Sequence, residues 1–408
     1  MQNRSNTPWT SIILLFLSSL TCLICFGSGA AMSISGVMEY VSGNAEIAIS
    51  TLMLSAGSIF LGIVILPAVY YSVMRILNKP AIDLPINKIP TIALIIIWIS
   101  AVGLELLLQK QASLFILMIP LNLLTVALPV WILVRIATQG LDAGSNERQW
   151  GTITVSMTIV PILIGVAEIL MIAIMGIIAI IWISQYPSLL RSIEVLGTRL
   201  MYTRNPDALV RILTPYLLNP TVIIAGLIFF SVFTPLIEEI LKPFGVWIGA
   251  NKVITHQQGF ALGALCGGAY ALVESLGALS SNSSAWGLLS IARAGSDLLH
   301  IFTAGLMGWA LVSAWQERKY LRLGLTYLVV VLIHGMWNAL SLASAIGVAI
   351  GYMSNPSPWL KSLPVVSIIG LMLLALLNLF VLIRANRILR ESLPSKNQVH
   401  ATGVEVIE

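Results

Sequence analysis

NPTVIIAGLIFFSVFTPLIEEILKPFG, residues 219–245, begins as an apolar run and ends on two adjacent glutamates and a lysine. A membrane helix needs about 20 mostly apolar residues, and the stretch 219 to 242 is long enough to be one. Ionised side chains are costly in hydrocarbon and rarely sit there without a task. The stretch therefore sets both the fold class and the question of function.

Nine further runs of the same kind lie outward from it, near residues 10–32, 47–74, 91–109, 113–134, 153–184, 259–280, 288–315, 323–350 and 364–384. Composition agrees. The chain has 408 residues, 58% of them hydrophobic and 10% charged, against about 25% charged in soluble domains. The expected fold is all-α, a polytopic transmembrane helical bundle of about ten spans.

The formal charge of +5 does not point to nucleic acid, because Lys and Arg lie in short clusters between apolar runs rather than on one patch. Cytoplasmic loops collect such residues. Arg4, then Arg75 with Lys79 and Lys88, then Arg135 with Arg148, then Lys242 with Lys252, then Arg318, Lys319 and Arg322, and finally Arg384, Arg387 and Arg390 mark alternate connections. SISGVMEYVSGNAE and SNSSAWG, between them, are almost free of positive charge. This pattern predicts both termini in the cytoplasm. The segment 185–215, with Arg191, Arg199, Arg204 and Arg211, breaks the alternation. LLRSIEVLGTRLMY within it reads as an amphipathic helix on the membrane surface, with a miscounted fifth span as the rival explanation.

The N-terminal run is longer than a signal-peptide core and lacks a cleavage site, so a retained first span is expected. Cys22 and Cys25 form a lone C-x-x-C inside that run, and Cys266 sits in a Gly-rich segment. Packing is the plainer role for all three. The chain divides into residues 1–215, about five spans and an interfacial segment of unassigned function; 216–350, four spans rich in polar residues; and 351–408, the last span and a polar tail. No sizeable soluble domain is available for chemistry, so any activity is built from the spans.

The first five spans contain Glu105 and Glu168 as isolated carboxylates, for which helix pairing is the simpler role. The next four are different. They hold Glu238, Glu239 and Lys242; Glu274; Arg293, Asp297 and His300; and His334 with Asn338. Residues three, four and seven apart share a helix face. Each of these spans therefore offers one polar stripe, as expected for helices around a common cavity. His300 and His334 fall near mid-membrane. Glu238 and Glu239 lie late in their span and meet the others only if that helix is displaced or broken, which Pro235 and Pro243 favour.

A glutamate beside histidines and an asparagine suits water-dependent amide hydrolysis: the carboxylate takes a proton from water, and His or Asn donors stabilise the oxyanion. The same residue types bind zinc, with His300, His334 and Glu274 as the alternative ligand set, although no H-E-x-x-H spacing occurs. Plain ion pairs, Glu238 with Lys242 and Arg293 with Asp297, are the bland alternative, as is simple packing for His256 and His400. A proton- or ion-coupled transporter is the rival from another class; it predicts polar residues in both halves and internal symmetry, and neither is visible. A non-catalytic membrane scaffold is the third.

Taken in order, Glu238-Glu239-Ile240-Leu241-Lys242, Tyr270 to Glu274, Arg293 to His300, and His334 to Asn338 resemble the motifs of the PrsW-type intramembrane peptidases, relatives of the CAAX-prenyl endopeptidase and bacteriocin-processing group. The resemblance covers about residues 230–345. Tyr270 stands where relatives usually have Phe, and Asn338 matches the prenyl endopeptidase branch. The resemblance implies a glutamic-type endopeptidase in a prokaryotic cell membrane. Glu238 would activate water, Glu239 would support it, and His300, His334 and Asn338 would bind or polarise the substrate carbonyl, with Glu274 also among the catalytic residues and Lys242, Arg293 and Asp297 supporting. It also implies a membrane protein or peptide as substrate and no obligatory cofactor. Because the family was long described as metal-dependent, zinc stays open.

Overall fold

The computed structural model describes residues 9–82, 89–108, 115–249, 254–278, 286–350 and 358–391. Arg4, Lys88, Lys252, His400 and most of SNSSAWG lie outside these residues, as do both termini, on which the expected cytoplasmic placement rests. The described residues are almost entirely helical and contain no strand. Ten helices are long and apolar enough to cross a membrane. The chain is an integral, multi-pass membrane protein.

The first five spans are α1 (Trp9–Val41), α2 (Ala45–Ile76), α3 (Thr91–Leu108), α4 (Phe115–Thr138) and α5 (Asn146–Ile183). Segment 185–215 forms two shorter helices, α6 (Pro187–Tyr202) and α7 (Pro206–Leu217). Pro187 opens α6 at a position where a missing N–H costs nothing, and none of its residues is buried. That exposure fits the amphipathic pattern seen in its sequence. The sixth span is broken: α8 (Pro220–Ile228), a π turn (Phe229–Phe233), α9 (Thr234–Leu241) and α10 (Phe244–Trp247) follow one another. The remaining spans are α11 (His256–Gly277), α12 (Trp286–Glu317), α13 (Tyr320–Ile350) and α14 (Pro358–Glu391).

These elements form two compact units. The first comprises residues up to Pro161, Lys242–Thr326 and Leu377 onward. Within it α1 and α2 pair along a seam of small and hydroxyl residues, where Ser28 meets Ser58 and Ser33 meets Ser55 at 2.8 and 2.6 Å. Hydroxyl pairs and small residues let membrane helices approach where apolar packing alone gains nothing over lipid. The centre of the unit is the α11–α12 pair, whose central windows are 89% and 83% buried against 17–39% for α1 to α4. Gly259, Gly263 and Gly267 recur every four residues along the α11 face that meets α12. A Cβ at Gly263 would lie 2.2 Å from the Ala304 carbonyl oxygen, and one at Gly267 2.1 Å from that of His300. Only glycine lets the two backbones touch there.

The second unit comprises Ile162–Leu241 and Tyr327–Leu376. It holds the exposed end of α5, the two short helices, the broken span through α9, most of α13 and the first half of α14. All three cysteines are free. Cys22 Sγ lies 3.5 Å from the Gly62 carbonyl oxygen, a packing contact in the α1–α2 seam. Glu105 departs from the helix-pairing expectation: it is fully buried, and among the described residues neither carboxylate oxygen has a hydrogen-bond partner.

Candidate active site

In the second unit the site starts from a defect in the helix. Pro235 has no N–H to give. The preceding π turn sends the Thr234 N–H to the Phe229 carbonyl instead of that of Phe230. Phe230 is thus left with no backbone donor: Thr234 has been diverted and Pro235 cannot supply one. Asn338 Nδ2 takes the place, donating to the Phe230 carbonyl oxygen at 2.7 Å. An orphaned carbonyl in a membrane helix is expensive, so Asn338 has a structural duty apart from any catalytic one.

α13 follows the broken span closely. A Cβ at Gly335 would fall 2.3 Å from the Ser231 carbonyl oxygen, so glycine is required beside His334. Tyr327, His334 and Asn338, spaced seven and four, share one face. Tyr327 donates to the Leu236 carbonyl oxygen at 2.8 Å, and His334 meets the glutamates of α9. His334 Nδ1 is 2.7 Å from Glu239 Oε1, and its Nε2 is 3.9 Å from Glu238 Oε2. Glu238, Glu239 and His334 are all buried.

An ionised carboxylate only accepts hydrogen bonds. Glu239 therefore accepts from His334 Nδ1–H, and Nε2 faces the Glu238 carboxylate across 3.9 Å, too long for a direct hydrogen bond. A water about 2.8 Å from each fits that span. A metal ion fits the chemistry as well, since a metal-binding histidine commonly gives its other N–H to a carboxylate.

The first unit carries a second network. Lys242, fully buried, places Nζ 2.7 Å from His300 Nδ1. An ammonium only donates, so Nδ1 accepts, and Nε2 carries the hydrogen toward Glu274 Oε2 at 2.9 Å. Arg293 clasps the other oxygen of Glu274 at 2.9 Å, and its Nε reaches Ser275 Oγ at 2.9 Å. Ser275 in turn donates to Asp297 Oδ1 at 2.7 Å. The Tyr270 ring packs edge-on against His300, with centroids 5.3 Å apart, and the Lys242 ammonium lies 5.6 Å from the Tyr270 centroid. Gly267 seats α11 on the His300 carbonyl, and Glu274 stands seven residues further on the same face. That register brings Glu274 to His300.

The sequence-derived residues thus fall into two groups: Glu238, Glu239, His334 and Asn338, and Lys242, Glu274, Arg293, Asp297 and His300. Arg293 bonds Glu274 rather than forming only the expected pair with Asp297, and Lys242 bonds His300. Of the alternative metal set, His300 and Glu274 bond each other and His300 also bonds Lys242, whereas His334 lies with Glu239 and Glu238. Sequence reasoning passed over Ser275, Tyr327 and Gly335. Ser275 was visible as a hydroxyl beside Glu274, and Tyr327 as a polar residue two turns before His334.

No curated protein and no solved structure matches this chain. A family model described as PrsW family intramembrane metalloprotease matches residues 194–377, a stretch that contains both groups. The match supports an intramembrane peptidase, and with it a protein of the membrane as substrate.

Proposed function

We propose that this chain is an intramembrane endopeptidase that hydrolyses a peptide bond of a membrane-associated protein or peptide by glutamate-activated water. The observation that carries the proposal is the Glu239–His334–Glu238 arrangement, buried in the membrane region and built on a deliberately broken helix. Glu238 is the general base: it takes a proton from a water held between it and His334 Nε2. Glu239 fixes the tautomer and orientation of His334, as a carboxylate does for a catalytic histidine. The proton later passes to the leaving amine.

The oxyanion needs donors. Asn338 commits one N–H to Phe230 and retains a second, whereas the His300 Nε2–H is taken by Glu274. We assign the Lys242–His300–Glu274 network a supporting part in the reaction on the order of the motifs along the chain and on the family match. Arg293, Ser275 and Asp297 hold Glu274, and Lys242 holds His300.

A metal-dependent variant is favoured by the wording of the matched family model. Glu238 and His334 are the residues that would hold a zinc ion, with Glu239 behind His334. The ion would supply Lewis-acid activation of the water. The orienting roles of Glu239, Asn338 and Gly335 are the same in either case.

The test is terminal-peptide profiling of membranes from cells that express the wild type, Glu238→Gln or His334→Ala. New membrane-protein termini that appear with wild type and vanish in both variants are expected. Identical profiles would overturn the proposal. Processing by purified wild type that survives a chelator, with no metal in the protein, would separate the metal-free route from the zinc one.

A further inference from the structure

A cavity of about 1000 Å³ lies in the first unit, at the end of the spans that carries the Lys- and Arg-rich connections. It is bounded by the start of α1, the end of α2, the start of α5, and Gly245, Val246, Gly249, Ile254 and Leu262, and none of the hydrolytic residues lines it. Its composition changes with depth. Arg75, Lys79 and Arg148 stand at the helix ends, whereas Leu14, Leu17, Val155 and Leu262 line it one to two turns further into the spans.

The cations are not consumed by the fold. The side chains of Arg75 and Lys79 have no hydrogen-bond or ion-pair partner among the described residues and are exposed. Arg148 makes only a long contact, 3.4 Å, to Gln258. Among the described residues one carboxylate, Glu147, also lines the cavity and accepts from the Ser11 hydroxyl, leaving a surplus of two positive charges on them. The chain end of α2 is shaped to put Lys79 there. Asn78 adopts a left-handed φ of +52°, and the Lys79 N–H folds back to the Met74 carbonyl at 2.9 Å, capping the helix and turning the chain.

Access runs sideways. Trp9 and Ile13, both lining the cavity, are 68% and 64% exposed on the outer helix α1. A tryptophan at such a level marks the headgroup region of a bilayer. A soluble anion would not use the apolar depth, and a neutral lipid would not use the charges. We propose that this cavity is a binding site for an anionic phospholipid, its phosphate held by Arg75, Lys79 and Arg148 and one acyl chain lying along Leu14, Leu17 and Val155. Basic pockets between membrane helices on the cytoplasmic side recognise anionic headgroups in this way.

The experiment uses full-length protein in detergent micelles, titrated with phosphatidylglycerol or phosphatidylcholine and read by native mass spectrometry. Wild type is expected to prefer phosphatidylglycerol by roughly 10- to 30-fold, the order that two surplus charges provide at a membrane surface. Arg75→Gln/Lys79→Gln should erase the preference without altering the helical circular dichroism. Leu17→Trp, which fills the apolar part and leaves the charges in place, should weaken both lipids together. Equal binding of the two lipids by wild type, a preference that survives the double variant, or displacement of the lipid by inorganic phosphate would each overturn the assignment.

Discussion

The two polar networks are built by opposite means. The Lys242–His300–Glu274–Arg293 network rests on straight helices whose glycines allow backbone contact, and every member has its partner supplied by a neighbouring side chain. The Glu238–Glu239–His334 group rests on a broken helix, with a π turn, a proline and a carbonyl rescued by Asn338. The first network is a chain of direct bonds at 2.7–2.9 Å. In the second, His334 is held at 2.7 Å by Glu239 and stands 3.9 Å from Glu238, too long for a direct bond and wide enough to admit a water or a cation. On this difference we propose that the second group does the chemistry and that the first holds its helices in place.

The largest effect should come from the Glu238–His334 pair. Glu238→Gln removes the base and should lower the cleavage rate by about 10²- to 10⁴-fold with folding intact, measured as product formed per enzyme in reconstituted vesicles. Lys242→Met, on the first network, should cost less, because it disturbs the orientation of His300 and not the water. Equal losses would erase the distinction between the two groups.

Next comes the glycine seam. Gly267→Val places atoms on the His300 carbonyl, where a Cβ has only 2.1 Å. The α11–α12 pair must separate, so the expected loss exceeds about 3 kcal/mol of stability, read as a fall in the thermal midpoint together with activity. Gly335→Ala meets the Ser231 carbonyl at 2.3 Å and should displace His334 from Glu239.

A double-mutant cycle isolates the broken helix. Asn338→Leu leaves the Phe230 carbonyl unpaired, at about 1–3 kcal/mol. Pro235→Ala restores a backbone N–H able to serve that carbonyl, so the stability cost of Asn338→Leu should shrink in the Pro235→Ala background while activity stays low. Additive stability losses would mean that Asn338 does not complete the π turn. The smallest effect concerns Glu105, whose buried oxygens lack partners among the described residues. Glu105→Leu should raise the thermal midpoint slightly and leave cleavage unchanged.

Much of this was legible in the sequence. Ten apolar runs define ten spans, because length and hydropathy suffice when every backbone group must be bonded within its own helix. The polar residues of residues 230–345 stood out because charge in a span is rare, and Pro235 announced a break beside the glutamates. What the sequence did not disclose is the pairing. Lys242 lies four residues from Glu238, the natural ion-pair spacing, yet its ammonium lies on His300. Asn338 looked like an oxyanion donor, and its bond to Phe230 follows from a π turn, a one-residue slip that no periodicity shows. The Gly259–Gly263–Gly267 seam was there to be read as a close-packing face, but which carbonyls it meets depends on the register of α11 against α12.

The most direct test of the hydrolytic role is to run cleavage in heavy-oxygen water and weigh the new C-terminus. Hydrolysis by water activated at Glu238 predicts one solvent oxygen in that carboxyl group with wild type, and no labelled product with Glu238→Gln. A labelled product formed at the wild-type rate by Glu238→Gln would contradict it.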